Sequence, residues 1–300
     1  MERPLTTTAM QEKSFYQSKK LIVIGVACMI LIPFIAWVYE SFANRDALLF
    51  YALDIGQGDS LLLQTPHDKL ILIDGGPNQN VLQALGDVLP FFMRTFDYVI
   101  LTHPDRDHLD GLLPVLERYG VKNFMLTGIW KDNAFYRALI EKILENKIPV
   151  QFAEAGSDIV IDGVTLDILY PTKKLIGDRP ADPNDTSIII KATYDGRLIM
   201  LTGDAGVEIE KRIMESGADL HSDILKAGHH GSRTSTSDEF VSAVKPTYAV
   251  ISDGRDNSFG HPHKEVVATL MRHGVNILRT DQLGTIICTL DKDSVICEKE

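Results

Sequence analysis

The sequence predicts an α/β fold in which mixed β-sheets are covered by helices, preceded by one N-terminal transmembrane helix. Three observations support this prediction. Strand-like runs joined by tight turns come first in the folded part, strands and helices then alternate, and one long uncharged segment lies near the N-terminus. The 300 residues are 45% apolar and 24% charged, which is ordinary for a globular chain.

The uncharged segment spans residues 21–39, between Lys20 and Glu40. At about 1.5 Å per residue, a helix of this length nearly spans the ~30 Å hydrocarbon core of a bilayer. The first twenty residues contain four Lys or Arg, whereas the twenty residues after Tyr39 contain one, Arg45. The positive-inside bias therefore places the N-terminus in the cytoplasm and the rest of the chain outside.

The expected organisation is an anchored protein of the cell membrane with a single extracytoplasmic domain. A cleaved signal peptide is the alternative, since residues 41–43 resemble a cleavage site. The predicted parts are a cytoplasmic segment 1–20, a transmembrane anchor 21–39, a linker 40–46 and the folded domain 47–300.

Each element of the folded domain is predicted from its apolar pattern and its flanking turns. Short apolar runs indicate strands, and a 3.6-residue apolar period indicates helices. The dipeptide Asp195-Gly196 is typical of a hairpin turn. In chain order we expect strands 48–53, 60–64 and 69–74; helix 79–89; strand 98–101; helix 111–119; strand 124–127; helix 132–145; strands 164–169, 187–194 and 197–202; helix 206–216; strand 223–227; helix 237–244; strand 248–251; helix 264–273; strand 277–280; and a closing hairpin, 285–290 and 295–298.

The closing hairpin contains two of the three cysteines, Cys288 and Cys297. If Asp291 pairs with Ser294 across the turn, the same register places the two cysteines opposite each other. A cross-strand disulfide is one interpretation and would suit an oxidising compartment. Two reduced cysteines that face each other by chance are the other interpretation.

The net charge bears on the class of substrate. It is −11 for the whole chain and −13 beyond residue 20, because the first twenty residues contribute +2. A field of this sign repels polyanions at long range. Any nucleic-acid substrate would therefore need local basic groups or bound cations.

The densest cluster of ligand-type side chains follows the strand that ends at Leu101. His103, Asp105, Asp107 and His108 fall within six positions of one loop. Carboxylates crowded without cations would repel each other and take up protons. With two bound cations, such a loop can generate hydroxide near neutral pH. The pattern therefore predicts a binuclear, metal-dependent hydrolase.

Two later strand ends carry similar residues. Asp204 follows the strand that ends at Thr202, and the pair His229-His230 follows the strand that ends at Ala227. Alone, Asp204 could cap a helix, and the His pair could form a polar turn. Together with the first loop, they indicate one shared edge of a sheet, where loops on a rigid scaffold commonly form a site.

These motifs resemble the metallo-β-lactamase superfamily, whose signature is an H-x-(H/D)-x-D-H loop followed by later Asp and His ligands. Within it the chain is most similar to the hydrolase domain of ComEC-type competence proteins, over residues 47 to about 290. The resemblance implies an αββα four-layer sandwich with two divalent metal ions, zinc or manganese, at one sheet edge. The motifs are LDIGQGDS at 53–60, IDGG at 73–76, NDTS at 184–187, LTGDA at 201–205, HHGS at 229–232, and Asn257 with HPH at 261–263.

The resemblance implies a role for each ligand. His103 and Asp105 would bind the first metal, Asp107 and His108 the second, and Asp204 would bridge them. One of His229 and His230 would complete the second metal site and the other would face the substrate, and the sequence leaves open which. Asp107 is also a candidate to accept a proton from water.

Two departures from the superfamily pattern concern the first metal. Asp105 stands where a His is usual, and no His precedes Ser187 at the position of the middle ligand. Asn184 or Asp185 could substitute there, or the first metal could be held loosely. Oxygen ligands of this kind shift the preference from zinc toward manganese or magnesium.

Other residues are expected around the metals. His261, His263 and Lys264, with Asn257, are predicted to contact a substrate phosphate near the start of the last long helix; capping and packing are the alternative roles. Residues that would support the metal loop from outside are Asp54, Gln57, Asp59 and Asp185.

The predicted function is an extracytoplasmic phosphodiesterase or nuclease that acts on DNA in a competence-like process, with a membrane channel as a possible partner. The negative charge opposes this prediction. One alternative is hydrolysis of another exported phosphodiester or ester, such as a cell-wall polymer substituent, because one fold supports many reactions. Another is a membrane-anchored binding module with a weakened metal site.

Overall fold

The folded domain forms one compact unit from Asp46 to Glu300. The computed structural model describes residues 19–33 and 46–300. Residues 19–33 are helical, and no helix in these two ranges is both long and apolar enough to cross a bilayer. The predicted anchor 21–39 continues beyond residue 33, outside the described residues, where most of segments 1–20 and 40–46 also lie. The anchor, its orientation and the cellular location therefore stay predictions.

The elements of this unit follow the predicted order, and every predicted element is found with bounds within two residues of those expected. The strands are β1 (Leu48–Ala52), β2 (Leu61–Gln64), β3 (Leu70–Ile73), β4 (Thr95–Phe96), β5 (Tyr98–Ile100), β6 (Gly120–Val121), β7 (Phe124–Leu126), β8 (Val150–Phe152), β9 (Ile159–Ile161), β10 (Val164–Tyr170), β11 (Ile189–Tyr194), β12 (Arg197–Leu201), β13 (Ile224–Lys226), β14 (Tyr248–Ile251), β15 (Asn276–Arg279), β16 (Ile286–Leu290) and β17 (Val295–Lys299). The helices are α1 (Asn80–Val88), α2 (Arg106–Leu109), α3 (Leu112–Arg118), α4 (Ala134–Glu145), α5 (Val207–Glu215), α6 (Asp238–Val244), α7 (Lys264–Arg272) and α8 (Thr280–Leu283).

The elements that the sequence did not reveal are all short, although three equally short strands, β5, β7 and β13, lay within predicted apolar runs. Strands β4, β6, β8 and β9 have two or three residues each, and helices α2 and α8 have four. An element of this length shows too few residues for a period of 2.0 or 3.6 to be recognised. Their formation depends on neighbours in space, as with β4 and β6, which pair with each other.

The strands form two large mixed sheets. One has the order β17-β16-β1-β2-β3-β5-β7-β8, and the other has the order β15-β14-β13-β12-β11-β10-β9. Strands β3, β5, β7 and β8 are parallel neighbours in the first sheet, and β12 to β15 are parallel neighbours in the second. The antiparallel pair β11–β12 is closed at Asp195-Gly196, the hairpin turn predicted from the sequence.

The packing of β1 shows how the layers are stacked. Leu48 and Phe50 of β1 share one buried core with Leu166 and Ile190 of the second sheet, so the two sheets pack face to face. The intervening residue Leu49 points to the opposite face, where it belongs to a core with residues of α1, α3 and α4. A third core holds residues of α5, α6 and α7 against the second sheet. The order of layers is αββα, which confirms the predicted sandwich.

The closing hairpin adopts the predicted register. Cys288 lies directly opposite Cys297 in the β16–β17 pair, and their sulfur atoms are bonded to each other. Cys288 is fully buried in the core between the sheets. The disulfide therefore fastens the edge strand β17 to β16.

Parallel strands of both sheets end near one region, which contains three predicted site residues and Asp74, a residue that was not predicted to be in the site. Asp74 follows β3, His103 follows β5, Asp204 follows β12 and His229 follows β13. Loops at the carboxyl ends of parallel strands are the usual place for ligands in α/β sheets. The fold thus brings four separate segments of the chain together.

Candidate metal centre and cleft

The metal loop after β5 buries two imidazoles side by side. His103 and His108 are both fully buried, and their ring centroids lie 4.2 Å apart. Burial, followed by repulsion from His108, lowers the pKa of His103 to about 3. The His103 ring is therefore neutral near pH 7, which is the form that binds metals. Its Nδ1 lies within hydrogen-bonding distance of the hydroxyls of Thr102 (3.1 Å) and Ser187 (3.3 Å), so Nε2 is left for a ligand.

Asp74 orients His108. Nδ1 of His108 lies 2.7 Å from Oδ2 of Asp74, and the N–H of Thr102 donates to Asp74 Oδ1 at 2.8 Å. Because Asp74 holds Nδ1 of His108, Nε2 is the ring nitrogen that faces the site. The backbone of Asp74 has φ 61°, a left-handed conformation that Asp tolerates better than most residues. The sequence motif 73–76 contained Asp74, but its function in the site became visible only from the contact with His108.

Asp204 lies among four imidazoles. Its Oδ1 is 3.3 Å from Nε2 of His108, and its Oδ2 is 3.4 Å from His230, 3.8 Å from His229 and 4.0 Å from His103. Burial raises the pKa of Asp204, but the charges of His230 and His108 outweigh it and lower that pKa well below its usual value. A carboxylate in this central position suits the bridging role that the resemblance implied.

The two histidines after β13 point in different directions. Their φ angles of 47° and 53° form a left-handed turn. His230 is fully buried, with Nδ1 2.9 Å from the carbonyl of Ser252 and Nε2 3.3 Å from Asp107. His229 is 28% exposed and lines an open cleft. The geometry therefore assigns His230 to the metal cluster and His229 to the substrate side, a choice that the sequence left open.

The residues fit a divalent metal. Ligand atoms of Asp107, His108, Asp204 and His230 all lie within 4.8 Å of one another. Nε2 of His103, His108 and His230 and Oδ1 of Asp204 are buried and have no hydrogen-bond partner among the described residues. Buried polar atoms are normally paired, so converging unpaired nitrogens and carboxylate oxygens indicate a missing cation. This donor set suits zinc or manganese.

A cleft of about 290 Å³ opens next to this cluster. Its lining residues are Asp105, Arg106, Asp107, Lys131, Asn184, Asp204, His229 and Phe259. The carboxylate of Asp105 forms an ion pair with Lys131, and its ligation of a metal stays a prediction. Oδ1 of Asn184 is buried without a partner among the described residues, whereas Asp185 lines a neighbouring cleft. Of the two substitutes for the middle ligand, Asn184 is the one that this cleft contains.

Asp59 connects the metal loop to His230. Its N–H donates to the carbonyl of Asp107 at 3.1 Å, and its Oδ1 lies 3.3 Å from Nδ1 of His230. The preceding Gly58 has φ +125°, and a Cβ there would lie 2.2 Å from the carbonyl oxygen of Asp107. Glycine is therefore required for this close approach. The predicted supporting role of Asp59 agrees with these contacts.

Lys226 is the partner of Asp59 that sequence reasoning missed. Both side chains are buried, and Nζ of Lys226 lies 2.9 Å from Oδ2 of Asp59. Lys226 is the last residue of β13, directly before the turn that carries His229 and His230. A lysine at the end of an apolar strand was the available signal, because buried lysines are rare unless paired.

Asp54 and Gln57 are placed differently from Asp59. They line a separate polar cleft of about 780 Å³. The carboxylate of Asp54 accepts from the N–H of Gly56 at 3.4 Å, and Oε1 of Gln57 accepts from the N–H of Gly254 at 3.3 Å. Within the described part of the chain, the hydrogen bond of Asp54 stays in its own loop, that of Gln57 runs to Gly254, and neither reaches the metal loop. The contacts therefore do not show direct support of the metal loop by Asp54 or Gln57.

The loop before α7 borders the same site. The ring of His261 lies 5.7 Å from that of His229, and burial, followed by repulsion from His230, lowers the pKa of His261 to about 4. His263 precedes α7, and its Nδ1 accepts from the N–H of Arg233 at 3.2 Å. Lys264 is exposed at the first position of α7. Phosphate contacts by these three residues and by Asn257 stay predictions.

We expect Asp74→Asn to weaken metal binding by about 10–100-fold, the usual cost of losing the carboxylate that orients a ligating His. Asn keeps the size of the side chain and tolerates the left-handed backbone, so folding should be preserved. Calorimetric titration of the metal-free chain with Zn²⁺ or Mn²⁺ measures the effect. Asp97→Asn is the matched control, because Asp97 is also buried but pairs with Lys122. Equal affinities of the Asp74 variant and the wild type would contradict the assigned role.

Comparisons with known proteins agree with this site. Residues 53–254 match the metallo-beta-lactamase superfamily. "ComE operon protein 3" of Bacillus subtilis (strain 168) is 29% identical over 94% of this chain and 37% of its own length. "Competence protein ComA" of Neisseria gonorrhoeae is 28% identical over 91% of this chain and 36% of its own length. The chain thus spans little more than a third of the length of these relatives.

A solved structure shows the same fold. The metallo-beta-lactamase fold protein YhfI from Bacillus subtilis superposes with a TM-score of 0.54 at 13% identity, over 81% of this chain and 100% of its own. The family match covers more than half of the chain and includes the metal loop, Asp204 and the His229-His230 pair. Fold, donor set and family match together describe a metal-dependent hydrolase. The chain belongs to the metallo-beta-lactamase superfamily, with competence-related proteins among its relatives.

Proposed function

We propose that this protein is a membrane-anchored, extracytoplasmic phosphodiesterase that cleaves DNA in a competence-like process with two divalent ions, zinc or manganese. The observation that carries the proposal is the convergence of Asp107, His108, Asp204 and His230 within 4.8 Å beside an open cleft. The competence-related names of the relatives support DNA as the substrate class. A membrane channel is the corresponding partner.

We assign the roles in metal binding and proton transfer to the following residues. His103, His108, Asp107, Asp204 and His230 would hold the cations, which when bound would supply Lewis acidity and lower the pKa of water. Asp107, 30% exposed and directed to the cleft, is placed to accept a proton from water.

His229 would act on the substrate side. Its Nδ1 lies 3.2 Å from the hydroxyl of Thr234, which leaves Nε2 toward the cleft and Asp204. His229 can therefore contact a phosphate oxygen or donate a proton to the leaving oxygen.

The cellular location is supported by two features. The disulfide between Cys288 and Cys297 suits an oxidising compartment. The uncharged segment 21–39 with its basic flank favours an anchor that leaves the following domain outside the cytoplasm. The net negative charge requires local cations for DNA binding, which the bound metals would provide at the cleft, because Lys131 is already paired with Asp105 and Arg106 with Asp110.

The test uses the full chain with linear duplex DNA, single-stranded DNA and bis(nitrophenyl) phosphate, each with Mn²⁺ or Zn²⁺. The proposal expects DNA fragments that depend on the metal and disappear with a chelator. Turnover of the small phosphodiester without DNA cleavage would instead favour another exported phosphodiester as the substrate. Failure to retain any metal, with no turnover, would favour a binding module.

A further inference from the structure

Phe259 occupies an unusual place for a large apolar side chain. It is 61% exposed, and it lines the cleft together with Asp107, Asp204 and His229. Single exposed apolar residues are common on protein surfaces. Here, however, the exposed aromatic ring borders the cluster that holds the reacting groups.

The loop that carries Phe259 is held rigidly by one side chain. Oδ1 of Asn257 accepts from the N–H groups of Phe259 (3.2 Å) and His261 (3.0 Å). Nδ2 of Asn257 donates to the carbonyls of Gly254 (3.0 Å) and His261 (2.7 Å). The loop tip is therefore fixed by four hydrogen bonds, so Phe259 is held at the cleft without being buried by the fold.

The ring of Phe259 is also oriented. It stacks on the imidazole of His261 with 5.6 Å between ring centroids and 22° between ring planes. The ring of His261 lies 4.9 Å from that of His263, so the rings of Phe259, His261 and His263 form a row. A fixed, exposed aromatic face of this kind is suited to stack with another flat ring.

The substrate class follows from what lies beside the ring. The metal cluster would hold a phosphodiester, and a flat ring attached to a phosphodiester is a nucleobase. Aromatic side chains contribute about 1–3 kcal/mol per stacked base in single-strand binding. In a duplex both faces of a base are covered by its neighbours, so an aromatic platform engages an unpaired nucleotide.

Two more exposed aromatic rings lie next to residues of the cleft. Phe135 packs under the guanidinium of Arg106, 5.9 Å away, and Trp130 precedes Lys131 and stacks with Arg179 at 3.8 Å. Arg106 and Lys131 both line the cleft. Aromatic rings next to cationic groups are typical of sites for single-stranded nucleic acids.

We propose that Phe259, stacked on His261, is the platform for the base of an unpaired nucleotide whose phosphate lies at the Asp107–Asp204 cluster. The proposal rests on the proposed function, because it assumes that the phosphodiester belongs to a nucleic acid. It adds that the site selects single-stranded or frayed segments. The selection comes from stacking of an unpaired base on Phe259 and not from attraction between charges.

The test measures kcat/KM of the full chain with Mn²⁺ on a single-stranded oligonucleotide and on copies with one abasic nucleotide beside the scissile phosphate. A stacked base worth about 1–3 kcal/mol corresponds to a loss of roughly 5- to 150-fold. We expect this loss for the wild type on the abasic substrate and for Phe259→Ala on the normal one. The Phe259→Ala variant should lose nothing further on the abasic substrate, because the two changes remove one interaction.

Further variants separate stacking from apolar bulk. Phe259→Trp should keep the rate of the wild type, and Phe259→Leu should behave like Phe259→Ala. Phe91→Ala is the matched control, since Phe91 is 81% exposed and precedes the amino end of β5, whereas the metal loop follows its carboxyl end. A 2-aminopurine base at the same position gives a readout without turnover. With Mn²⁺ present and a non-hydrolysable linkage in place of the scissile phosphodiester, its fluorescence should be quenched on binding to the wild type and the Trp variant, and not on binding to the Ala variant.

The possible failures are distinguishable. Additive losses for Phe259→Ala and the abasic substrate, or a Leu variant as active as the wild type, would overturn the platform while DNA cleavage itself stands. A wild-type chain that cleaves no oligonucleotide but hydrolyses bis(nitrophenyl) phosphate would overturn the proposed substrate and the platform with it.

Discussion

Asp204→Ala is expected to abolish metal-dependent hydrolysis. The carboxylate of Asp204 lies within 4.0 Å of imidazole nitrogens of His103, His108, His229 and His230, so it is the shared centre of the cluster. Loss of an outer partner costs about 10–100-fold in metal affinity or activity. Loss of a central ligand should exceed that range. The measurements are metal content after gel filtration and turnover of bis(nitrophenyl) phosphate.

The control for this prediction is Asp132→Asn. Asp132 is 68% exposed and pairs with Arg137 before α4, so its loss should leave metal content and turnover unchanged. Circular dichroism should show the same fold for both variants. An Asp204→Ala protein that retains two equivalents of metal and wild-type turnover would show that the cluster is not the active site.

Lys226→Met is expected to destabilise the fold by about 3–5 kcal/mol, the cost of leaving one member of a buried ion pair without its partner. The Asp59 carboxylate is 1% exposed, and Lys226 supplies its closest positive charge at 2.9 Å. Met fills most of the space of the lysine stem, so the loss of stability comes from the missing charge and not from a cavity. Urea unfolding of the metal-free chain measures the difference in the free energy of unfolding.

A matched control separates burial from pairing. Lys191 of β11 is also buried and pairs with Asp219 at 3.1 Å, but Asp219 is 76% exposed and remains hydrated when its partner is lost. Lys191→Met should therefore cost clearly less, within the range of about 0–1 kcal/mol for exposed pairs. The double change Asp59→Asn with Lys226→Met should cost less than the sum of the single changes. Equal effects of the two lysine variants would contradict the buried-pair explanation.

The same pair predicts a pH dependence. Burial raises the pKa of Asp59, but Lys226 and then His230 outweigh it and lower that pKa to about 2, compared with 3.8 in the unfolded chain. A carboxyl with a lowered pKa in the folded state stabilises the protein above the unfolded value and loses this contribution as the pH falls. The stability advantage of the wild type over Asp59→Asn should therefore shrink between pH 3.8 and about 2.

The sequence was sufficient for the longer secondary-structure elements and for the kinds of ligand. Apolar periods located every long strand and helix, because burial on one face leaves a local pattern that needs no knowledge of the partner. The loop of His103 to His108 predicted a metal site for a similar reason, since so many donors in one short segment are chemically costly without cations. The register of the Cys288–Cys297 hairpin was also local, because a tight turn fixes it.

The roles of residues whose partners lie far away in the chain became visible only in the tertiary structure. The left-handed turn at 229–230 separates His230 from His229, and only the positions of Asp107 and Asp204 show which one joins the cluster. Asp74 and Lys226 acquire their roles from His108 and Asp59, which lie 34 and 167 positions away in the chain. The order of strands in the two sheets is what brings these residues together in space. A one-dimensional pattern records which face of each element is buried, but it does not record which loops meet.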